Sequence, residues 1–137
     1  MQRSTRRLVP LLVTALLLAG VAAAQDFDKL AGSTPKQRAE VQTAFMKARL
    51  GLSDAASAKV AAINLKYANQ MQPILAGSEG SMQKLGAARR VEQAKDAELQ
   101  NALTRDQFQQ YQAAKQEMRE DLEQKVMQKA AGGASAP

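Results

Sequence analysis

The chain has 137 residues, no cysteine and no histidine, and a formal charge of +6. The missing cysteines exclude disulfides, thiolate catalysis and a lipid-modified N-terminal cysteine, and with the histidines gone a transition-metal site loses its usual ligands. The excess charge is concentrated at one end: Arg3, Arg6 and Arg7 precede the first acid, so a protein without them carries only +3.

Those three arginines lead into an uncharged apolar run from Leu8 to Val21 and then Ala22-Ala23-Ala24. This is the pattern of a signal peptide over residues 1–24, with the small residues Ala22 and Ala24 placing cleavage between Ala24 and Gln25. The expected compartment is the periplasm, reached across the inner membrane with the signal removed. The run is short for a membrane anchor. Arg6-Arg7 leaves twin-arginine export open, although a pair followed at once by an apolar segment suits the general secretory route better.

The mature chain opens with a polar segment, residues 25–33, expected to be flexible despite Phe27 and Leu30. Thr34-Pro35-Lys36-Gln37 then reads as a helix start. Thr34 and Gln37 form a capping box, and Pro35 takes the first helical position, where its missing N–H is not needed. The helix is expected to reach Leu50 and stop at Gly51, with Val41, Ala44, Phe45 and Ala48 as its buried stripe.

Leu52-Ser53-Asp54-Ala55-Ala56 starts a second helix, with Ser53 as cap and Ala56 where a reciprocating glutamine would sit. Val60, Ile63, Tyr67, Met71 and Ile74 give it an apolar stripe, and Pro73 predicts a kink or a new turn near Gln70 to Pro73. Ala76-Gly77-Ser78-Glu79-Gly80 is the clearest break. A third helix follows over Ser81 to Ala102 with Met82, Leu85, Ala88, Val91 and Leu99 on one face. The fourth begins at Leu103-Thr104-Arg105-Asp106-Gln107-Phe108, where Thr104 and Gln107 form a second capping box, Leu103 and Phe108 a hydrophobic staple, and Asp106 complements the helix dipole. Its stripe is Phe108, Tyr111, Ala114, Met118, Leu122 and Val126, and it is expected to end before Gly132-Gly133, leaving residues 131–137 as a disordered tail. No segment alternates with period two. The expected fold is all-α, one helical domain over residues 34–130.

Two helix starts of the form Leu-Ser/Thr-x-x-x, at Leu52 and at Leu103, in a small exported helical chain resemble the LTxxQ-motif family of periplasmic proteins, the group that includes Spy, CpxP and the periplasmic heavy-metal sensors. The resemblance covers residues 49–127, and Ala56 departs from it by replacing the first glutamine. It implies long bent helices in a helical hairpin, pairing as a cradle-like homodimer. It also implies an ATP-independent chaperone or envelope-stress binding module that captures unfolded clients or a sensor, with a metal-responsive role as the alternative; from the residues themselves, neither an enzyme nor a cofactor is expected. The sparse aromatics and abundant alanine independently favour a dimer, since a small domain buries little of its surface alone.

The remaining motifs carry little. Ser81-Met82-Gln83-Lys84 and Ser33-Thr34-Pro35-Lys36 match a serine–lysine spacing without the other motifs of that enzyme class. Gly77-Ser78-Glu79-Gly80 imitates an RNA-binding loop without its strands. Glu92 with Asp96 and Glu117 with Asp121 are carboxylates one turn apart, a pattern typical of solvated faces. The methionines Met46, Met71, Met82, Met118 and Met127 suit core or adaptable surface better than copper(I). Positive and negative residues interleave, which argues against nucleic acid as a partner, and amphipathic helices leave membrane-surface contact as a lesser option. The candidate client-binding cations are Arg38, Lys47, Arg49, Lys59, Lys66, Arg89 and Arg90, with Met46 and Met71 as adaptable apolar neighbours. Arg89-Arg90 is the pair that stands out locally.

Overall fold

Thr34 and Thr104 set two of the helices in the same way. The Gln37 N–H donates to Thr34 Oγ1 at 3.1 Å while Gln37 Oε1 accepts from the Thr34 N–H at 3.0 Å; Gln107 and Thr104 repeat the exchange at 3.2 and 3.1 Å. Each box satisfies two backbone N–H groups at a helix start.

The computed structural model describes residues 27–133, and all the regular structure in that range is helical. The expected signal peptide over residues 1–24, its cleavage at Ala24–Gln25, and tail residues 134–137 lie outside the described residues. The helices are α1, described over residues 27–31, α2 (Pro35–Leu50), α3 (Asp54–Ala76), α4 (Ser81–Ala102) and α5 (Arg105–Gly133).

Local chemistry explains most of the boundaries. Pro35 sits at the start of α2, and Gly51 ends it in the left-handed region, φ 62°, with its N–H donating to the Lys47 carbonyl. Ser53 Oγ accepts from the Ala56 N–H at 3.2 Å, so this start keeps one half of a box and Asp54 supplies the first-turn carboxylate. Pro73 does not break α3, which runs on to Ala76 as one element. Pro73 is exposed three residues from the helix end, and the carbonyl it deprives of a partner belongs to Asn69, also exposed. At Gly77 a Cβ would lie 2.9 Å from the Pro73 carbonyl oxygen, so only glycine fits that exit from α3. The C-terminal end of α5 passes through Gly132 and Gly133 instead of stopping before them. Glycine weakens a helix by about 1 kcal/mol per residue but does not forbid it.

Residues 27–31 are helical, and the turn after them is tied down by Ser33, whose N–H and Oγ both donate to the Leu30 carbonyl. One further expectation, the buried stripe of α2, is corrected. In α2 the buried face holds Arg38, Ala39, Met46 and Leu50, while Ala44 and Ala48 of the expected stripe are exposed and Val41 and Phe45 half-buried. The face is rotated because α2 is packed from two sides.

α2 contacts both α3 and α5, and α4 packs on α3 while reaching α2 through the Lys95–Gln42 bond. By contrast α4 and α5 scarcely approach one another, although only Leu103 and Thr104 separate them in sequence. The core gathers Met46, Leu50, Leu52, Val60, Leu99, Leu103, Tyr111 and Met118, with Ala56 and Phe108 against it. Both helix starts of the Leu-Ser/Thr form therefore deliver their leucine to a single cluster. The divergence of α4 from α5 leaves a cleft between them, floored by α2 and α3.

Candidate functional site

The cleft has a volume of ≈ 400 Å³, within the roughly 300–1,000 Å³ usual for small-molecule sites. Each wall is a helix face whose periodicity brought it there. α3 contributes Tyr67, Ala68, Met71 and Leu75 at spacings of one to four; α4 contributes Leu85, Ala88, Arg89, Glu92 and Lys95; α5 contributes Met118, Arg119, Leu122 and Glu123. Phe27 and Leu30 of α1 complete the lining. The apolar residues of the opening segment are thus part of the site.

At the end near the α4–α5 turn the walls are clasped. Tyr111 Oη donates to Asp96 Oδ1 at 2.8 Å, Lys115 Nζ donates to Asp96 Oδ2 at 2.8 Å, and Lys115 Nζ lies 3.6 Å from Glu92. Burial works to raise the Asp96 carboxyl, but hydrogen bonds from Lys115, Gln112 and Tyr111 outweigh it and hold the group below its ordinary value. The Tyr111 hydroxyl is pushed up, first by burial and then by the charges of Glu92 and Asp96. It remains a neutral donor.

Two cations form the floor. Arg38 Nη1 donates to the Ser33 carbonyl at 2.6 Å and to Ser33 Oγ at 3.1 Å, while Nη2 donates to the Ala68 carbonyl at 3.2 Å and to Gln72 Oε1 at 2.7 Å. It joins the turn after α1 to α2 and α3. Lys95 Nζ donates to Gln42 Oε1 at 2.9 Å, and burial lowers the pKa of both groups.

The sequence candidates scatter. Arg38, 3% exposed, is a structural cation rather than a surface one, and Met46, 1% exposed, belongs to the core. Arg89 lines the cleft, whereas its neighbour Arg90 is exposed outside that lining. Lys47 pairs with Asp54 at 2.7 Å and Arg49 with Glu117 at 3.0 Å. Lys66 pairs with Glu98, which also accepts from the Tyr67 hydroxyl at 2.8 Å. Lys59 is exposed. Met71 is half-buried in the cleft, and Met82, expected in a stripe, is 77% exposed. The carboxylate pairs hold cations of the chain: Glu92 and Asp96 share Lys115, Glu117 takes Arg49, and Asp121 takes Lys125 at 2.9 Å.

Sequence reasoning missed Lys95, Lys115 and Arg119. Lys95 had one available signal, since it lies four residues before Leu99 and seven after Ala88, on the apolar face of α4.

Among the described residues no helix is long and apolar enough to cross a membrane, and no three metal-ligating side chains gather. A family model described as a domain of unknown function (DUF4890) matches residues 24–111. No curated protein and no solved structure matches the chain.

Proposed function

We propose that this chain, which belongs to the DUF4890 family, is a periplasmic binding module of the Spy/CpxP kind, one that holds unfolded or stress-related proteins without ATP. The observation that carries the reading is the cleft between α4 and α5, an apolar groove left open by a helix pair that does not close. An apolar groove edged by charge suits recognition of amphipathic segments. Arg89 on α4 and Arg119 on α5 stand in its two walls, and their stems can cover apolar groups of a client while the charged heads attract its acidic stretches. Met71 within the cleft supplies a side chain that adapts to varied shapes. The meeting of Leu52 and Leu103 in one cluster supports the LTxxQ resemblance, because it gives the two similar starts a shared structural purpose.

A homodimer belongs to the same reading. Leu65, Met82 and Met127 are large apolar side chains that remain exposed, and a partner chain covering them would supplement a core poor in aromatics.

The test is light scattering from a denatured model substrate with and without the purified mature protein, in the absence of ATP. Near-stoichiometric protein should slow aggregation, and Arg89→Glu with Arg90→Glu should weaken the effect while leaving helicity intact. Wild-type protein inactive against several unrelated substrates would sink the chaperone reading. Sedimentation showing a monomer well above micromolar concentration would remove the dimer.

A further inference from the structure

Arg38 and Lys95 are both buried, both line the cleft, and neither is paired with a carboxylate among the described residues. The acceptors of Arg38 are carbonyls, a hydroxyl and an amide oxygen, all neutral. Lys95, 2% exposed, has Gln42 Oε1 as its acceptor, which leaves two N–H donors unmatched among the described residues. Buried charges are ordinarily paired, because an unpaired one loses its hydration without recompense. The carboxylates at hand, Glu92 and Asp96, are engaged by Lys115, and Asp96 also by Tyr111. Across the whole lining, five cations (Arg38, Arg89, Lys95, Lys115, Arg119) face three carboxylates (Glu92, Asp96, Glu123). The site is therefore short of negative charge at its floor and apolar along its walls.

We propose that the cleft binds a free fatty carboxylate, its head seated on the Lys95 ammonium and its alkyl chain lying against Met71, Leu75, Leu85 and Leu122. The head supplies the missing acceptor, and a carboxylate on an ammonium makes a charge-assisted bond roughly twice as strong as a neutral one. The chain takes the apolar walls out of water. A volume of ≈ 400 Å³ suits one alkyl chain. This goes beyond client capture and does not rest on it: a protein that held no clients would still offer this site.

The experiment is calorimetric titration of the delipidated protein with decanoate below its micelle concentration, with methyl decanoate, with acetate, and with phosphatidylglycerol vesicles containing no free fatty acid. Decanoate is expected to bind saturably at one site, with methyl decanoate roughly tenfold weaker or worse for want of the charged head. Acetate should show no binding. Lys95→Met should reduce decanoate to the affinity of the ester while leaving the ester's own binding largely unchanged. Equal affinity for acid and ester in the wild type would overturn the proposal, as would absence of saturable decanoate binding, tighter binding to the vesicles than to decanoate, or full discrimination retained by Lys95→Met. The wild-type comparison of acid with ester decides the matter even where the variant fails to fold. No client is present in any arm, so the result is independent of the aggregation assay.

Discussion

Tyr111 on α5 donates its hydroxyl hydrogen to Asp96 on α4 across 2.8 Å, and with Lys115 it fastens together two helices that otherwise hardly meet. Tyr111 is buried in the core cluster at one edge and polar at the other, so a single side chain joins the apolar interior to the clasp of the cleft. Tyr111→Phe keeps the packing and removes the bond, and it should cost about 1.5–3 kcal/mol, the range for a hydrogen bond to a charged group. Urea unfolding measures it.

The same variant should change the acid limb of stability. Asp96 titrates below its ordinary value of 3.8 in the folded protein. Its contribution is therefore fully present above that value and is lost as pH falls through the folded pKa. Without Tyr111 one of the three hydrogen bonds holding the carboxylate disappears, so the Asp96 carboxyl should titrate higher and the loss should begin at higher pH. Carbon-detected NMR titration of the side-chain carboxyl checks this; an unmoved Asp96 would show that Lys115 and Gln112 suffice.

Lys95→Met should stabilise the protein by about 1–4 kcal/mol, because an apolar side chain of similar length replaces a buried charge. The pH dependence has a definite sign. Burial lowers the Lys95 pKa from 10.5, so the unfolded chain binds more protons between the folded value and 10.5, and this group's contribution becomes more favourable as pH rises through that window. The gain from Lys95→Met should shrink over the same window. A destabilised Met variant would mean that the bond to Gln42 outweighs the burial of charge.

Thr104→Ala should cost about 1 kcal/mol by removing the acceptor for the Gln107 N–H. Ser53→Ala should cost less than Thr104→Ala, since no side chain returns a bond to the Ser53 backbone and Ala56 stands where one would come from. Thermal unfolding of the two variants in parallel tests the difference; equal losses would show that the reciprocal half of the box contributes nothing.

Gly51→Ala should destabilise by about 1–2 kcal/mol through backbone strain alone, since the position holds φ 62° and has open space around it. Gly51→Asn should recover part of that loss, because asparagine tolerates the left-handed region.

The sequence was most legible where one helix face packs chiefly on one neighbour. α5 packs chiefly on α2, and of its expected stripe Tyr111, Ala114, Met118, Leu122 and Val126 are buried while Phe108 is half-buried. Caps were legible for a related reason: Thr34, Ser53 and Thr104 act through bonds three residues away, which tertiary structure does not alter. α2 was misread because it is contacted on two sides, so a one-face periodicity picked out Ala44 and Ala48 while Arg38 and Met46 went inside. The site was the least legible part. Its definition depends on α4 and α5 diverging, and no local pattern states the angle between two helices. Arg38 and Lys95 were further masked by their residue type, since cations are assigned to the surface by default.

The order of packing along the chain bears on how the protein folds. α2 with α3 and α3 with α4 are neighbours in sequence, so those contacts close over short loops, whereas α5 must return past both intervening helices to reach α2. Short-range contacts form at small entropic expense and long-range ones later. The docking of α5 is then the late event, and Leu122→Ala and Val126→Ala should accelerate unfolding while hardly slowing refolding. Stopped-flow kinetics would read this directly, and a refolding rate that fell in step with stability would place α5 in the nucleus instead. If it docks late, the wall carrying Met118, Arg119 and Leu122 is also the first to leave, so the release of anything held in the cleft would be timed by the undocking of one helix while α2, α3 and α4 stay together.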